Sequence, residues 1–166
     1  HSDKEFQKAL LLNLWQKFVN LDDVHTANYI ASTYLIPVST VLMDFDLVEK
    51  LALFKNISLG EKAPDFAWKE DKNGRTSSQS LYTLESAENY IVVFWSSACS
   101  HCLKEIPLLH ETVKGLEEGN YKVIAVGLED EPYDWENKIH EFPKFINVLG
   151  LGKWENKIGN DYGIDA

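Results

Sequence analysis

Apolar side chains at the start of the chain return every three or four residues. Between residues 5 and 18 they fall at Leu10, Leu11, Leu14 and Phe18, the spacing of an amphipathic helix of about four turns. A second helical segment starts behind Asp22-Asp23, whose carboxylates suit the free N–H groups of a first turn, and carries Ala27, Ile30, Ala31 and Leu35 up to Pro37. Proline has no N–H and its ring crowds the preceding turn, so the helix is expected to stop there. A third helix is expected from Ser39-Thr40 through Phe45, Leu47, Val48, Leu51, Leu53 and Phe54. Residues 1–57 therefore read as an all-α segment.

The period changes at Ser58-Leu59-Gly60-Glu61-Lys62-Ala63-Pro64, a linker-like stretch that divides residues 1–57 from a second domain, 58–166. A short strand is predicted over 65–69, and Asn73-Gly74 supplies a hairpin turn. Residues 90–95 form an unbroken β-branched and aromatic run, the pattern of a central strand buried on both faces. Leu103, Ile106, Leu109, Val113 and Leu116 then share one face of a helix ending near Gly119. A buried strand over 121–128, a helix over 134–142, a weaker strand over 145–149 and a helix over 154–162 follow. This alternation predicts an α/β domain: a central, mostly parallel sheet with helices on both faces.

Charge narrows the use of such a domain. Lys and Arg number 16 against 26 Asp and Glu, a formal charge of −10 that repels phosphate backbones and anionic headgroups. Nucleic acid is not an expected partner. No apolar run approaches the roughly 18 residues that cross a bilayer, so no direct membrane insertion is expected. The chain opens on His1-Ser2-Asp3 without an initiator Met, which reads as a cut end from which a signal or anchor has scope to have been removed. Tyr162-Gly163-Ile164-Asp165-Ala166 stops inside a helix-to-loop transition and reads as a second cut.

The two cysteines, Cys99 and Cys102, are too few to staple a small domain and call for a local explanation. They stand where the strand gives way through Ser96-Ser97-Ala98 to a helix, so both thiols fall at a helix N-terminus. Unpaired N–H groups and the helix dipole there favour a thiolate. Cys99 is the expected nucleophile. Cys102, one turn further in, is the expected resolving thiol that attacks a mixed disulfide on Cys99. His101 between them adds positive charge when protonated, which stabilises the reduced form and makes the pair more oxidising. Two blander readings compete: half a zinc site, for which the chain offers only scattered histidines such as His110 and His140 as further ligands, and a structural disulfide whose loop is too small to stabilise much. Dithiol exchange itself requires no metal and no organic cofactor.

Gly60, Ala63-Pro64-Asp65-Phe66, Asn73-Gly74, Phe94-Trp95, Cys99-Ser100-His101-Cys102, Glu105 and Pro107 together resemble the TlpA/ResA-like branch of the thioredoxin superfamily over residues 59–166. With a helical region ahead of these motifs, the chain looks most like the thiol-disulfide oxidoreductases of Bacteroidetes. The resemblance implies a thioredoxin-like fold and a periplasmic or otherwise extracytoplasmic protein. Such a protein reduces or exchanges disulfides in exported proteins, cytochrome c maturation substrates included, while a redox partner supplies or accepts electrons. It also implies that Trp95 is the aromatic before the active-site turn and that Glu105, one turn below Cys102, manages that thiol's proton. Pro107 matches a proline that kinks the helix. Thioredoxin does the proton work with an Asp buried in its central strand; Val93 holds that place here and cannot. The plainer alternatives are a core aromatic for Trp95 and a solvated carboxylate beside Lys104 for Glu105.

Two departures from the family pattern stand out. Ala98 precedes Cys99 where Trp is usual, which predicts a more open rim. The family's cis-proline loop, expected just past Tyr162-Gly163, and its last strands and helix would fall beyond Ala166. The C-terminal part of the fold is thus expected to be truncated, with a long apolar strand edge exposed.

Three functions are weighed. The first is a thiol-disulfide oxidoreductase, with His101 pushing toward oxidant or isomerase and the resemblance toward reductase; the reading leans to reductase. The second is a redox-inactive binding or scaffold protein that docks a partner on the helical segment, which could equally serve as a dimerisation element or lid. The third is a thiol peroxidase, which shares Ala-Pro-Asp-Phe but needs a Thr and a Pro shortly before its reactive cysteine. Ser96-Ser97-Ala98 supplies neither.

Overall fold

The computed structural model describes residues 2–72, 75–116 and 119–164. The chain divides into two compact units, His1–Pro64 and Asp65–Ala166.

The first unit is helical: α1 (Ser2–Asn20), α2 (Val24–Ile30), a π-helical segment (Ala31–Leu35), α3 (Ile36–Val41) and α4 (Phe45–Asn56). Asp23 caps α2, its Oδ1 accepting from the Thr26 N–H at 3.1 Å. Pro37, expected to end this helix, does not: the helical path runs on to Val41. The wider π turn, closed by the Ile36 N–H donating to the Ala31 carbonyl, lies just ahead of the proline. A regular α-turn would drive the ring against the carbonyl four residues back. The break comes later, at Met43 with a left-handed φ of 59°, after which Asp44 Oδ1 accepts from the Leu47 N–H at 3.3 Å and starts α4. The third helix therefore begins at Phe45 rather than Ser39. Its core is Ala31, Leu35, Val38 and Leu51, joined by Leu11, Leu12 and Trp15 of α1. Leu10 and Leu14, expected on the packed face of α1, are exposed.

The second unit opens with an antiparallel hairpin, β1 (Ala67–Lys72) and β2 (Arg75–Ser80), in which Lys72 faces Arg75. The turn expected from Asn73-Gly74 lies outside the described residues. A three-stranded parallel sheet follows in the order β3 (Asn89–Trp95), β4 (Tyr121–Glu129) and β5 (Ile146–Leu151). The helices are α5 (Cys102–Lys114), α6 (Tyr133–Ile139) and α7 (Lys157–Asp161).

β4 alternates its side chains between two cores. Val123 and Ala125 pack with Trp95, Ile106 of α5 and Trp135 of α6, together with Phe142 and Phe145. Ile124, Val126 and Leu128 pack with Phe66 and Val148, against Ile158 of α7. Gly127 is forced by contact: a Cβ there would fall inside the Trp135 indole. The expected sheet with helices on both faces is present, and the fold is thioredoxin-like.

Several details differ from expectation. β3 is half-buried rather than buried on both faces, because among the described residues it pairs with β4 alone; β4 takes the centre, buried from Val123 to Glu129. α5 ends at Lys114, not near Gly119, so Leu116 falls beyond it and is exposed; within α5 Leu103 is exposed while Ile106 and His110 are buried. α6 stops at Ile139, short of Phe142. The helix expected over 154–162 is split, because Asn156 adopts an extended conformation and its Oδ1 accepts from the Ile158 and Gly159 N–H groups, starting α7 afresh.

Candidate active site

The site forms where β3 becomes α5. Trp95 ends β3 buried, its ring edge-on to Phe142 at 6.1 Å between centroids. The backbone then turns through Ser96 to Ala98: the Cys99 N–H donates to the Ser96 carbonyl at 3.0 Å, and the Leu103 N–H to the Cys99 carbonyl at 3.0 Å. These bonds wind the chain directly into α5, with His101 as its N-cap and Cys102 as its first residue.

Both cysteines are free thiols and half-buried. The Cys102 N–H donates to Cys99 Sγ at 3.2 Å. The Cys99 thiol is held below the usual thiol range, chiefly by a hydrogen bond from the Cys102 side chain, and further by the Cys102 and His101 backbone N–H groups. Cys102 is pushed the other way. Burial is the largest cause, and its hydrogen bond to Cys99 adds to it. The two thiols are thus shifted in opposite directions, Cys99 down and Cys102 up.

A cavity of about 350 Å³ opens beside the sulfurs, lined by Trp95, Ala98, Cys99 and Cys102 and by Phe94 and Trp154. Trp95 thus belongs both to the core and to the wall of the site. His101 is exposed, and its side chain makes no hydrogen bond among the described residues; its backbone serves Cys99. Glu105 is exposed on α5, with no side-chain hydrogen bond or ion pair among the described residues. Pro107 lies inside α5, half-buried. His110 is packed in the core, its ring 5.6 Å from Phe142 and 5.2 Å from Phe145. Among the described residues no three His, Cys, Asp or Glu side chains gather as metal ligands.

One residue at the site escaped the sequence reading. Glu129, the last residue of β4, is only 4% exposed, and its carboxylate binds the turn that precedes the cysteines. In sequence it opens the run Glu129-Asp130-Glu131, which resembles a solvated acidic surface. The signal that would have found it is position: a charge closing the apolar run 123–128 of a parallel strand stands at the sheet end where α/β folds build their sites.

A family model described as the AhpC/TSA family matches residues 59–164. No curated protein matches the chain. Among solved structures, the thioredoxin domain of a thiol-disulfide oxidoreductase from Bacteroides vulgatus is 28% identical, covering 64% of this chain and 74% of its own, with a TM-score of 0.49. A thiol-disulfide oxidoreductase from Bacteroides fragilis is 19% identical over 63% of this chain and 76% of its own, with a TM-score of 0.47. A thioredoxin-like protein from Bacteroides caccae is 21% identical, covers 84% of this chain and 58% of its own, and reaches a TM-score of 0.52, a likeness of fold.

Proposed function

This chain belongs to the AhpC/TSA family, and from that premise we propose that its Cys99-Cys102 pair exchanges disulfides with other proteins. The observation that carries the reading is a pair of free thiols at the head of α5, with the Cys102 N–H donating to Cys99 Sγ at 3.2 Å and the two thiols tuned in opposite directions, Cys99 down and Cys102 up.

The Cys99 thiolate attacks one sulfur of a substrate disulfide. Its S–S bond breaks, one substrate thiolate leaves and takes up a proton, and a mixed disulfide to Cys99 remains. Cys102 then gives up its proton and attacks Cys99 Sγ, releasing the second substrate thiol and leaving Cys99 and Cys102 joined. Two electrons have passed to the substrate, and a redox partner returns them. Glu105, one turn along α5, is assigned the Cys102 proton, and His101 the tuning of the Cys99 thiolate. Trp95 and Pro107 support the site rather than react. No metal or organic cofactor enters these steps.

The substrates are disulfides of exported proteins, the direction is reductive and the compartment extracytoplasmic. Among the described residues no helix is long and apolar enough to cross a membrane.

The test is the equilibrium reduction potential of the pair in glutathione or dithiothreitol buffers, followed by tryptophan fluorescence with Trp95 as the reporter beside the sulfurs. A value near or below about −270 mV is expected of a reductase, whereas about −120 to −180 mV would make the protein an oxidant or isomerase. Failure of the pair to cycle reversibly would replace this reading with that of a redox-inactive binding protein. Consumption of hydroperoxide faster than protein disulfide would replace it with a thiol peroxidase.

A further inference from the structure

Glu129 takes three hydrogen bonds, all from one turn: from the Ser97 N–H at 2.5 Å, the Ser97 hydroxyl at 3.0 Å and the Ser96 hydroxyl at 3.2 Å. Its side chain makes no ion pair among the described residues. Removing a carboxylate from water without a cation is costly, and an apolar residue would close β4 at lower cost. Hydrogen bonds to the buried group offset that penalty only if the turn keeps its shape. The carboxylate and the turn therefore specify each other, across 32 and 33 residues of sequence.

The same turn sets the sulfurs. The Ser96 carbonyl accepts from the Cys99 N–H at 3.0 Å, and the Ser96 hydroxyl accepts from the Ala98 N–H at 3.3 Å while donating to Glu129. The Ser96 backbone also acts on the Cys102 thiol, favouring its thiolate against the burial that opposes it. β3 and β4 pair up to Trp95 opposite Gly127, so Glu129 stands two residues past the last rung, level with the point where the chain leaves the sheet. There the β3–β4 ladder has ended, although β4 still pairs with β5, and the chain has not yet entered α5. Glu129 fills that gap.

We propose that Glu129 is a positioning residue of the dithiol: through its hydrogen bonds to Ser96 and Ser97 it fixes the turn that holds Cys99 against Cys102. It acts through the turn, without itself reacting. This rests on the disulfide-exchange reading and adds to it a residue outside the Cys99-Ser100-His101-Cys102 motif.

The experiment compares the unmodified 166-residue chain with Glu129→Ala, Glu129→Gln and Ser97→Ala. Each is read by the equilibrium of its Cys99–Cys102 disulfide against glutathione and by the pH midpoint of Cys99 alkylation with iodoacetamide. Circular dichroism checks the fold. Glu129→Ala is expected to shift the glutathione equilibrium by about tenfold and to displace the alkylation midpoint. Glutamine can accept from the Ser97 N–H and donate to the hydroxyls, so Glu129→Gln is expected to stay within about threefold of the unmodified chain. Ser97→Ala, which loses one of the three bonds, is expected to fall between them.

A folded Glu129→Ala with unchanged equilibrium and midpoint would overturn the proposal, leaving Glu129 a purely structural group. A Glu129→Gln as displaced as Glu129→Ala would also overturn it, because charge rather than hydrogen bonding would then be at work. Should Glu129→Ala fail to fold, an unchanged Ser97→Ala overturns it instead. An unmodified chain that does not cycle against glutathione strikes the disulfide-exchange reading itself, and is told apart because every variant would then be equally silent.

Discussion

In the helical unit acidic side chains start helices. Asp23 starts α2, and Asp44 starts α4 while also meeting Lys8 Nζ at 2.9 Å. None of these groups is drawn into the small core of Ala31, Leu35, Val38 and Leu51. In the α/β unit the polar links that span the most sequence converge on one turn, where Ser96 and Ser97 meet buried Glu129 and the Cys102 N–H meets Cys99 Sγ. The first unit uses acidic side chains to begin elements, and the polar groups it buries, Asn28 and Ser39, are neutral and lie within its helices. The second buries a carboxylate beside a reactive sulfur, where it constrains chemistry, and the difference teaches that stability and reactivity in this chain are separable by substitution.

The sharpest test of that separation is the nucleophile. Cys99→Ser is expected to abolish disulfide exchange outright while leaving thermal unfolding of the helical unit where it was. Cys102→Ser is expected to leave substrate trapped on Cys99, a mixed disulfide visible as an added mass by intact-protein mass spectrometry. Any residual turnover in Cys99→Ser would move the chemistry away from the helix N-terminus and dissolve the comparison.

Next come the cores. Leu51 is fully buried in the helical unit, and Leu51→Ala is expected to cost about 2–5 kcal/mol there by removing transfer energy and leaving a cavity. Gly127→Ala is expected to cost the α/β unit about 1–3 kcal/mol, since the new methyl meets the Trp135 indole. Urea denaturation of each variant measures the loss, and the glutathione equilibrium measures the site. Leu51→Ala should leave that equilibrium untouched; a shift would mean that the units share their energetics.

Much of this contrast was legible in the sequence, for reasons that also explain what was missed. The apolar run within 121–128 and the cysteine pair after an apolar strand are local patterns, and β4 and the site's place at the head of α5 followed from them. Pro37 misled because its accommodation depends on a π turn that no local preference specifies. β3 was expected at the centre of the sheet because its composition suits burial, yet strand order is set by long-range pairing. Glu129 was invisible because its burial is decided by serines more than 30 residues away.

A smaller effect concerns the pH response of the sulfurs. Hydrogen bonds from Cys102 and from the Cys102 and His101 backbone lower the pKa of the Cys99 thiol, and burial raises that of Cys102. As pH rises, Cys99 should therefore be alkylated first, at a midpoint below the ordinary thiol range, with Cys102 following above it. Peptide mapping after iodoacetamide treatment across a pH series separates the two. Equal midpoints would remove the asymmetry on which the assignment of nucleophile and resolving thiol depends.

The smallest expected effect lies in the helical unit. Asp44 is held below the usual carboxylate range, first by its hydrogen bond from Lys8, with the Leu47 N–H adding to it. Because the folded pKa lies below the unfolded one, the stabilisation is complete above the unfolded carboxylate's pKa and is lost as pH falls through the folded value. Asp44→Asn keeps an oxygen able to cap α4 but removes the charge that meets Lys8. It should therefore flatten the acid limb of the helical unit's melting temperature while barely changing that temperature at neutral pH, since pairs this open to solvent contribute little. Thermal melts from neutral to acid pH, followed at 222 nm, check this. An unchanged acid limb would mean that other carboxylates set the acid sensitivity of this unit, and that Asp44 serves it as a cap alone.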